Sequence, residues 1–313
     1  MAWCGERGIS PLSASVPVIA DFFIYLFSVR NLAPNTISAY RSALAGVFRP
    51  VLNLDLGQDP HLAALLKSFA MERPRSAVLL PKWDLALVLR SLTKAPFEPL
   101  GQASLRHLTL KTVFLLAFAS AARRGEMHAW DASSLKHAPD WSSVWISTLP
   151  DFLAKTQSAG ERPRSYQIRA LSLSGDADSP EAQLLCPVRA LKRYLAAVAA
   201  SRGTRRRLFI SFKPGFTGEI CANTISAWLK KVILLAYESA DDEDCTLLGV
   251  RAHEVRALAA SWARFAGAPV SSILEACHWR SHSTFTSFYL RDLSVVADSV
   301  LRLGPLSVAQ QRI

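Results

Sequence analysis

Cysteine is scarce in this sequence, and no two cysteines stand at the spacing of a metal site. The 313 residues hold five cysteines, scattered along the chain without a Cys-x-x-Cys pair. An odd and scattered set argues against a disulfide framework and against a zinc site. The pattern is typical of a protein from a reducing compartment, and an evident cluster of metal-binding carboxylates is also missing.

Long hydrophobic runs are missing as well. The nearest candidate extends from Val16 to Val29, but Asp21 interrupts it and a membrane helix needs roughly 18 or more apolar residues. The N-terminus lacks a charged region followed by an apolar run, so we expect no secretory signal. No internal repeat or low-complexity tract is evident. These absences predict a protein that neither spans a membrane nor forms a repeat array.

Basic charge is abundant. The formal net charge is +11, with a sequence pI near 9.7, and half of the residues are hydrophobic. A basic excess of this size on a globular chain favours a polyanionic partner, usually nucleic acid, although a basic enzyme of another kind has the same composition. The length exceeds that of one typical core and favours two domains.

The first part of the chain has the apolar spacing of a small helical domain. One helix is predicted over Val16 to Arg30, and a second begins near Pro34, which suits a first turn. The second helix runs to about Phe48, and we predict one apolar face for it, made of Ile37, Tyr40, Leu44 and Val47. A third helix is predicted over Leu62 to Met71.

A stretch rich in proline and charge follows and is interpreted as a linker. It comprises Glu72 to Ser76 and ends with Leu80 and Pro81. Its arginines, Arg73 and Arg75, either contact phosphate or are simply solvated. The predicted domains are therefore residues 1–76, a helical N-terminal domain, and residues 77–313, a larger domain.

The second domain is predicted to be mainly helical with a small antiparallel sheet. Val144 to Thr148 is β-rich, and Ser165 to Leu173 partly alternates between apolar and polar residues, with a polar loop between them. Helices are expected on both sides of this hairpin, over Asp84 to Leu92, Leu105 to Ala122, Val188 to Ala200, Thr224 to Tyr237 and His253 to Ala266.

The most specific local motif is His253-Glu-Val-Arg256. Its helix has an apolar stripe made of Val255, Leu258, Trp262 and Phe265. His253 and Arg256 lie on neighbouring turns, roughly opposite that stripe, so the helix presents an imidazole and a guanidinium together. A solvated surface helix has the same pattern, and the motif alone is weak evidence.

Two further segments carry chemistry-bearing residues in a fixed order. Arg123 and Arg124 follow directly on the buried apolar helix, and the segment Trp279 to Tyr289 ends the series. Arginines at that place also occur where a helix simply reaches solvent. What distinguishes this sequence is the order of the whole set along the chain: first the two arginines, then Lys155 in the hairpin, then the His253 motif, and last the segment that ends at Tyr289.

This ordered set resembles the tyrosine recombinases, and most closely those of DIRS-type eukaryotic retrotransposons. The resemblance spans nearly the whole chain, including Leu32 to Ala43. The phrases that carry it are Pro81-Lys-Trp-Asp-Leu85, Ala95-Pro-Phe-Glu-Pro-Leu100, Leu108-Thr-Leu-Lys111, Leu185-Cys-Pro-Val-Arg-Ala-Leu191, Ala252-His253, Ala260-Ser-Trp262 and Phe285 to Tyr289.

The resemblance implies roles for individual residues. Those implied as catalytic are Arg123, Lys155, His253, Arg256, Trp279 and Tyr289, with Tyr289 as the nucleophile. Arg124 competes with Arg123, and Glu126 would support the site structurally. The family has His or Trp at the position of Trp279, and the adjacent His278 and nearby His282 leave open which side chain reaches the phosphate. Other tyrosines, such as Tyr166, Tyr194 and Tyr237, lack the flanking motif.

The chemistry of phosphoryl transfer agrees with these roles. Two arginines can hold the non-bridging oxygens of a phosphodiester as negative charge develops on them. Tyrosine has a free pKa near 10 and needs a base such as His253 to attack at neutral pH. Lys155 can return a proton to the leaving 5′ oxygen. A phosphotyrosine conserves the bond energy, so we expect no cofactor, metal or nucleotide.

The resemblance also implies that residues 1–76 form a DNA-binding domain, that residues 77–313 form the catalytic domain, and that the protein has specific partners. These are double-stranded DNA, a tetramer of this chain on two duplexes, and a C-terminal segment from Asp292 packed on a neighbouring subunit. It further implies integration of a mobile element in a eukaryotic nucleus. Two alternatives stay open: a type IB topoisomerase, which relaxes one duplex with the same chemistry, and a DNA-binding protein without enzymatic activity.

Overall fold

The computed structural model describes residues 2–74, 81, 83–171, 183–239 and 250–291. The chain divides into two compact units, Met1–Ala77 and Val78–Ile313. The first is called unit 1 and the second unit 2 below. Both are built mainly from helices, and unit 2 also contains a three-stranded sheet. The predicted fold class is therefore confirmed, whereas the functional assignment of the two domains stays a prediction.

Unit 1 consists of helices around a small apolar core. Prolines stand in the first turns of its three longer helices, where their missing N–H costs no hydrogen bond. Asp59 also caps the third of these, accepting from the backbone N–H of Leu62 at 2.9 Å. The elements are α1 (Ala2–Gly5), a 3₁₀ turn (Pro11–Ser13), α2 (Val16–Ser28), α3 (Pro34–Leu52) and α4 (Pro60–Glu72).

Two features of unit 1 go beyond the predictions. The apolar face of α3 is only partly covered: Ile37 is buried, but Tyr40 and Val47 are 42% and 56% exposed. Arg73 is half-buried; it stacks on the Phe27 ring and donates to the Phe27 carbonyl oxygen at 2.5 Å. It thus has contacts within unit 1 that the sequence did not reveal. Arg75 lies outside the described residues.

Unit 2 is organised around one buried helix, α6. Asp84 and Ser104 cap α5 and α6 through their side chains, accepting from the backbone N–H groups of Ala86 and His107. α6 is buried from Leu108 to Ser120 because α8, α9, α10 and the sheet pack against it. The helices are α5 (Leu85–Leu92), α6 (Leu105–Ser120), α7 (Arg124–His128), α8 (Pro187–Arg202), α9 (Ala222–Glu238), α10 (His253–Phe265), α11 (Val270–Ala276) and α12 (His282–Phe288).

The sheet of unit 2 is antiparallel, in the order β1-β2-β3. Its strands are β1 (Lys136–His137), β2 (Ser143–Ser147) and β3 (Ser165–Arg169). Val144 pairs with Ile168 and Ile146 with Tyr166, so these four residues face the core. The predicted hairpin is confirmed. β1 is too short to show a period of two, and the last two residues of the second predicted strand, 172–173, lie outside the described part.

A buried cluster of charges anchors α6 to its surroundings. Lys111 is fully buried and donates to Glu98 Oε1 at 2.5 Å and to the Leu92 carbonyl oxygen at 2.7 Å. Arg189 on α8 donates to both oxygens of Glu98, at 2.7 and 3.1 Å. The cluster thus ties α6, α8 and the loop that holds Glu98 together.

Across the described residues, no helix combines the length and the apolar character that a membrane crossing requires.

Candidate active site

Five of the six residues predicted as catalytic line one open cavity of unit 2. The cavity has a volume of about 480 Å³. The end of α6, the start of α7, the β2–β3 loop, α9 and the start of α10 form its walls, and Tyr289 follows α12. The five residues are Arg123, Lys155, His253, Arg256 and Tyr289.

The cavity is lined by several cations and, within the described part of the chain, by no carboxylate. Besides the predicted residues, its walls include Arg124, Lys230 and Arg251. Lys230 and Arg251 were not among the predicted residues, because nothing in the sequence around them distinguishes them from surface cations. A cavity of this composition attracts an anion with several oxygens. Among the residues that the structure describes, no group of His, Cys, Asp and Glu is arranged to hold a metal ion.

Arg123 is positioned by the break between α6 and α7. Ala121 adopts a left-handed conformation with φ +47°, which ends α6, and Arg123 becomes the N-cap of α7. Glu126 accepts from the Arg123 backbone N–H at 2.7 Å and from its guanidinium at 2.8 Å. Arg124, the competing candidate, donates to Asn223 Oδ1 on α9 at 2.9 Å. Both arginines line the cavity, and the structure holds Arg123 through the buried carboxylate.

Arg256 lies in the interior, contrary to the prediction that it faces away from the core. Its side chain is only 4% exposed, because α10 is buried on all sides from Val255 to Ala263. Its guanidinium donates to the carbonyl oxygens of Ala121 and Cys277. Phe265, predicted as part of the apolar stripe, is exposed. Packing against α6 and α11 decides this orientation, which helix periodicity alone does not predict.

His253 stands at the first position of α10 and is exposed at the cavity. Partial burial lowers the pKa of its imidazole; Glu254 opposes this effect, while Arg251 and Arg291 add to it. His253 is therefore neutral at pH 7 and can accept a proton.

Glu126 is the buried counterion of several arginines. Besides Arg123, its Oε1 accepts from Arg164 at 2.6 Å, and its Oε2 lies 3.7 Å from Arg256. Burial by itself raises the pKa of Glu126, but Arg256 and Arg123 outweigh that effect and lower it. The predicted supporting role of Glu126 agrees with these contacts. Arg164 was missed, because nothing in Pro163-Arg164-Ser165 distinguishes it from a surface arginine.

Lys155 lies in the loop between β2 and β3, at an exposed position beside the cavity. Its ammonium forms no hydrogen bond with any other described residue. Backbone and side-chain bonds of Gln157 close the turn, with the Gln157 N–H on the Ala154 carbonyl and the Ala154 N–H on Gln157 Oε1, at 2.8 and 2.9 Å. Lys155 therefore belongs to a closed turn, and its ammonium is available to bind a ligand.

Trp279 is not one of the cavity-lining residues, but it contacts two of them. Its ring centroid lies 4.4 Å from that of Tyr289 and 4.8 Å from the Arg256 guanidinium carbon. His278 instead packs edge-on against Tyr166, and His282 begins α12 at an exposed position. Neither histidine lines the cavity. The geometry thus favours Trp279 over the two histidines.

Tyr289 is the one tyrosine that lines the cavity. The three tyrosines set aside for lack of a flanking motif are buried elsewhere: Tyr166, Tyr194 and Tyr237. Burial raises the pKa of Tyr194 to about 12, and burial together with Glu126 raises that of Tyr166 still further. Tyr237 accepts from the Asp84 backbone N–H at 2.7 Å.

Comparison with protein-family models gives no match, and comparison with curated protein sequences gives none either. Solved structures do match. XerH site-specific recombinase bound to palindromic difH substrate, a post-cleavage complex, has a TM-score of 0.55 at 14% identity, covering 90% of this chain and 70% of that one. The XerH pre-cleavage complex has a TM-score of 0.53 at 16% identity, covering 92% and 71%.

A lambda integrase dimer bound to a COC′ core site aligns with a TM-score of 0.49 at 12% identity, covering 91% of this chain and 67% of that one. The XerH likeness, at identities this low, concerns the fold. The chain shares the fold of XerH site-specific recombinase, and this fold is mainly helical with a small antiparallel sheet.

Proposed function

We propose that this protein is a site-specific DNA recombinase that cleaves and rejoins DNA through a 3′-phosphotyrosine on Tyr289. The observation that carries the proposal is the cavity in which Tyr289 meets His253 and six cationic side chains, with no carboxylate among the described residues that line it. A phosphodiester is the anion that this set suits, because cations neutralise its oxygens while a hydroxyl attacks its phosphorus. The overall charge of +11 supports DNA as the polyanion.

In the proposed cleavage step, the Tyr289 oxygen attacks the scissile phosphorus. A new bond forms between the phosphorus and the tyrosine oxygen, and the bond from phosphorus to the 5′ oxygen breaks. The phenolic proton passes to neutral His253. The leaving 5′ oxygen takes a proton from Lys155, whose ammonium is free at the cavity. The products are a 3′-phosphotyrosine and a 5′ hydroxyl.

The arginines supply the electrostatic stabilisation in this proposal. Arg123 and Arg256 bind the non-bridging oxygens, on which negative charge grows as Tyr289 attacks. The shared carboxylate of Glu126 fixes both guanidinium groups before DNA arrives. Trp279 packs against both Arg256 and Tyr289, and this packing fixes the position of the cation relative to the nucleophile.

Rejoining reverses the cleavage step. A 5′ hydroxyl gives its proton to neutral Lys155 and attacks the phosphorus, and a new phosphodiester bond forms. The bond from phosphorus to the Tyr289 oxygen breaks, and protonated His253 returns the proton to that oxygen. The covalent intermediate conserves the energy of the broken bond, so the reaction needs no nucleotide. The cations take over the charge neutralisation that metal ions supply in other phosphoryl-transfer enzymes.

The finer proposal concerns the biological context. The sequence phrases that resemble DIRS-type retrotransposon recombinases support an origin in such an element and a role in integrating it. With that origin the protein would act in the nucleus of a eukaryotic host. Strand exchange between two duplexes requires four nucleophiles, so the proposed assembly is a tetramer of this chain on double-stranded DNA.

The experiment is covalent trapping on a nicked duplex made from the termini of the element that encodes the chain. The nick lets a short fragment diffuse away after cleavage, so the adduct accumulates. We expect a denaturation-resistant protein–DNA adduct with a free 5′ hydroxyl, formed equally well in EDTA. Arg256→Ala serves as the control that keeps the nucleophile but loses roughly 10²–10³ in rate. An adduct that needs Mg²⁺, or no adduct at all, would contradict the proposal.

A further inference from the structure

The buried Arg164 connects the two halves of the candidate site. It stands just before β3 and is 8% exposed. One nitrogen of its guanidinium donates to Glu126 Oε1 at 2.6 Å, and the other donates to Thr156 Oγ1 at 2.5 Å. Glu126 belongs to the arginine side of the cavity, whereas Thr156 is the neighbour of Lys155 in the β2–β3 loop.

The backbone of Arg164 is fixed independently of its side chain. Its N–H donates to Thr148 Oγ1 at 3.1 Å, and its carbonyl oxygen accepts from the Thr148 N–H at 2.9 Å. The carboxylate of Glu126 is also fixed, because it accepts hydrogen bonds from the backbone and the guanidinium of Arg123 at the start of α7. The bond from Arg164 to Thr156 therefore ties the loop to a rigid point rather than to another mobile group.

Among the described residues, Lys155 has no hydrogen-bond partner that would place its ammonium. Its position depends on the turn from Ala154 to Gln157. Gln157 closes this turn and also donates to the Arg162 carbonyl oxygen at 2.9 Å, while Arg164 links the turn to Glu126. Without the Arg164 bond, the turn keeps its local bonds but loses its link to the carboxylate that holds the arginines. A proton donor displaced by about 1 Å loses roughly 10²-fold in rate.

We propose that Arg164 is a positioning residue that sets the distance between Lys155 and the Glu126-bound arginines through its bond to Thr156. The inference rests on the proposed function, because it assigns to Arg164 the placement of the proton donor. A buried arginine serves this purpose because its planar guanidinium can bind a carboxylate and a hydroxyl at once, which a lysine ammonium does with less fixed geometry.

The test uses Thr156→Val, which removes the hydroxyl and keeps the shape of the side chain. Thr156→Ser restores the hydroxyl, and Ser158→Ala removes a hydroxyl in the same loop that has no bond to Arg164. On the nicked duplex, we expect Thr156→Val to form the covalent adduct about 10²-fold more slowly than the wild type. Thr156→Ser and Ser158→Ala should react at the wild-type rate. A wild-type rate for Thr156→Val would overturn the proposal.

A second substrate tests whether the effect acts through Lys155. In a 5′-bridging phosphorothiolate, sulfur replaces the leaving oxygen, and a thiolate leaves without needing a proton. Thr156→Val should then react as fast as the wild type, as should Lys155→Ala, while Arg256→Ala stays slow. If Thr156→Val is equally slow on both substrates, the Thr156 hydroxyl does not act through Lys155, and the proposal is wrong.

Hydrogen exchange separates this inference from the proposed function. In Thr156→Val, we expect the amides of Ala154 and Gln157 to exchange faster than in the wild type, because the loop opens more often. The measurement needs no DNA and no activity. If the wild-type protein forms no adduct, the proposed function fails, and unchanged exchange in Thr156→Val would independently refute the anchoring of the loop.

Discussion

The indole ring of Trp279 lies against the phenol ring of Tyr289, with 4.4 Å between the ring centroids and 34° between the planes. The same indole packs on the guanidinium of Arg256, 4.8 Å from the ring centroid. One apolar side chain thus contacts both the proposed nucleophile and a proposed phosphate-binding cation, whereas neither neighbouring histidine lines the cavity.

Trp279→Ala should therefore impair adduct formation more than His278→Ala or His282→Ala. Losing the indole removes a packing contact from both Tyr289 and Arg256, while the histidines pack elsewhere or lie at the surface. Trp279→Phe, which keeps an aromatic ring, should retain part of the activity. Rates of adduct formation, measured alongside DNA affinity, check this. Greater damage from a histidine change, with DNA binding intact, would contradict the assignment.

Lys230 should contribute to the salt dependence of DNA binding, and the adjacent Lys231 should not. Lys230 lines the cavity, whereas Lys231 is paired with Glu238 at 2.8 Å on the same helix. Each phosphate contact contributes about 0.9 to the slope of log affinity against log salt. We expect Lys230→Ala to lower the slope by roughly one such contact. Equal slopes for Lys230→Ala and Lys231→Ala would count against the cavity as the DNA site.

Glu126→Gln should destabilise unit 2 strongly. The variant leaves three arginines beside an amide that cannot neutralise them, and breaking a buried ion pair typically costs about 3–5 kcal/mol. Glu161→Gln is the matched control, because Glu161 pairs with Arg280 in an exposed position, where pairs contribute about 0–1 kcal/mol. Tryptophan fluorescence during denaturant unfolding reports mainly on unit 2, which holds every tryptophan except Trp3.

The cost of Glu126→Gln should also depend on pH. The pKa of Glu126 is lower in the folded protein than its ordinary value of 4.5. Its stabilising effect is thus fully present above pH 4.5 and is lost as the pH falls through the folded value. The difference in unfolding free energy between wild type and variant should shrink on acidification below pH 4.5. A difference that is constant from pH 7 to pH 3 would show that the ion pairs contribute nothing.

Lys111 should make unit 2 more stable in mild alkali. Burial lowers the pKa of Lys111 from 10.5 to about 8, although Glu98 opposes the effect. Between these pH values the unfolded chain binds more protons than the folded one, so the free energy of unfolding rises with pH, by at most about 1.4 kcal/mol per pH unit. Lys111→Met removes this contribution and leaves Glu98 paired with Arg189. The measurement is the free energy of unfolding of wild type and Lys111→Met between pH 7 and 9.5. If the two free energies change in parallel with pH, the prediction is wrong.

Much of the site could be predicted from the sequence because its residue types occur in a fixed order. Apolar periodicity predicted α6 and α10, and the resemblance carried by the order of Arg123, Lys155, His253 and Tyr289 implied that these residues meet. None of this depends on side-chain packing, because the motif positions are read along the chain.

Packing decided the parts that the sequence did not reveal. Arg256 is buried because α6 and α11 cover the side of α10 that periodicity assigned to solvent. Arg164 was missed because its two partners, Glu126 and Thr156, are 38 and 8 residues away. Such contacts form only when segments that are distant in the sequence come together, so neither residue spacing nor composition predicts them.

The most direct test of the account is to map the covalent adduct to a residue. After trapping on the nicked duplex and digestion, mass spectrometry should find the 3′ phosphate attached to Tyr289. Tyr289→Phe removes only the hydroxyl, so folding and DNA binding should persist while the adduct disappears. An adduct that survives in Tyr289→Phe, or that maps to another tyrosine such as Tyr237, would contradict the assignment of Tyr289 as the nucleophile.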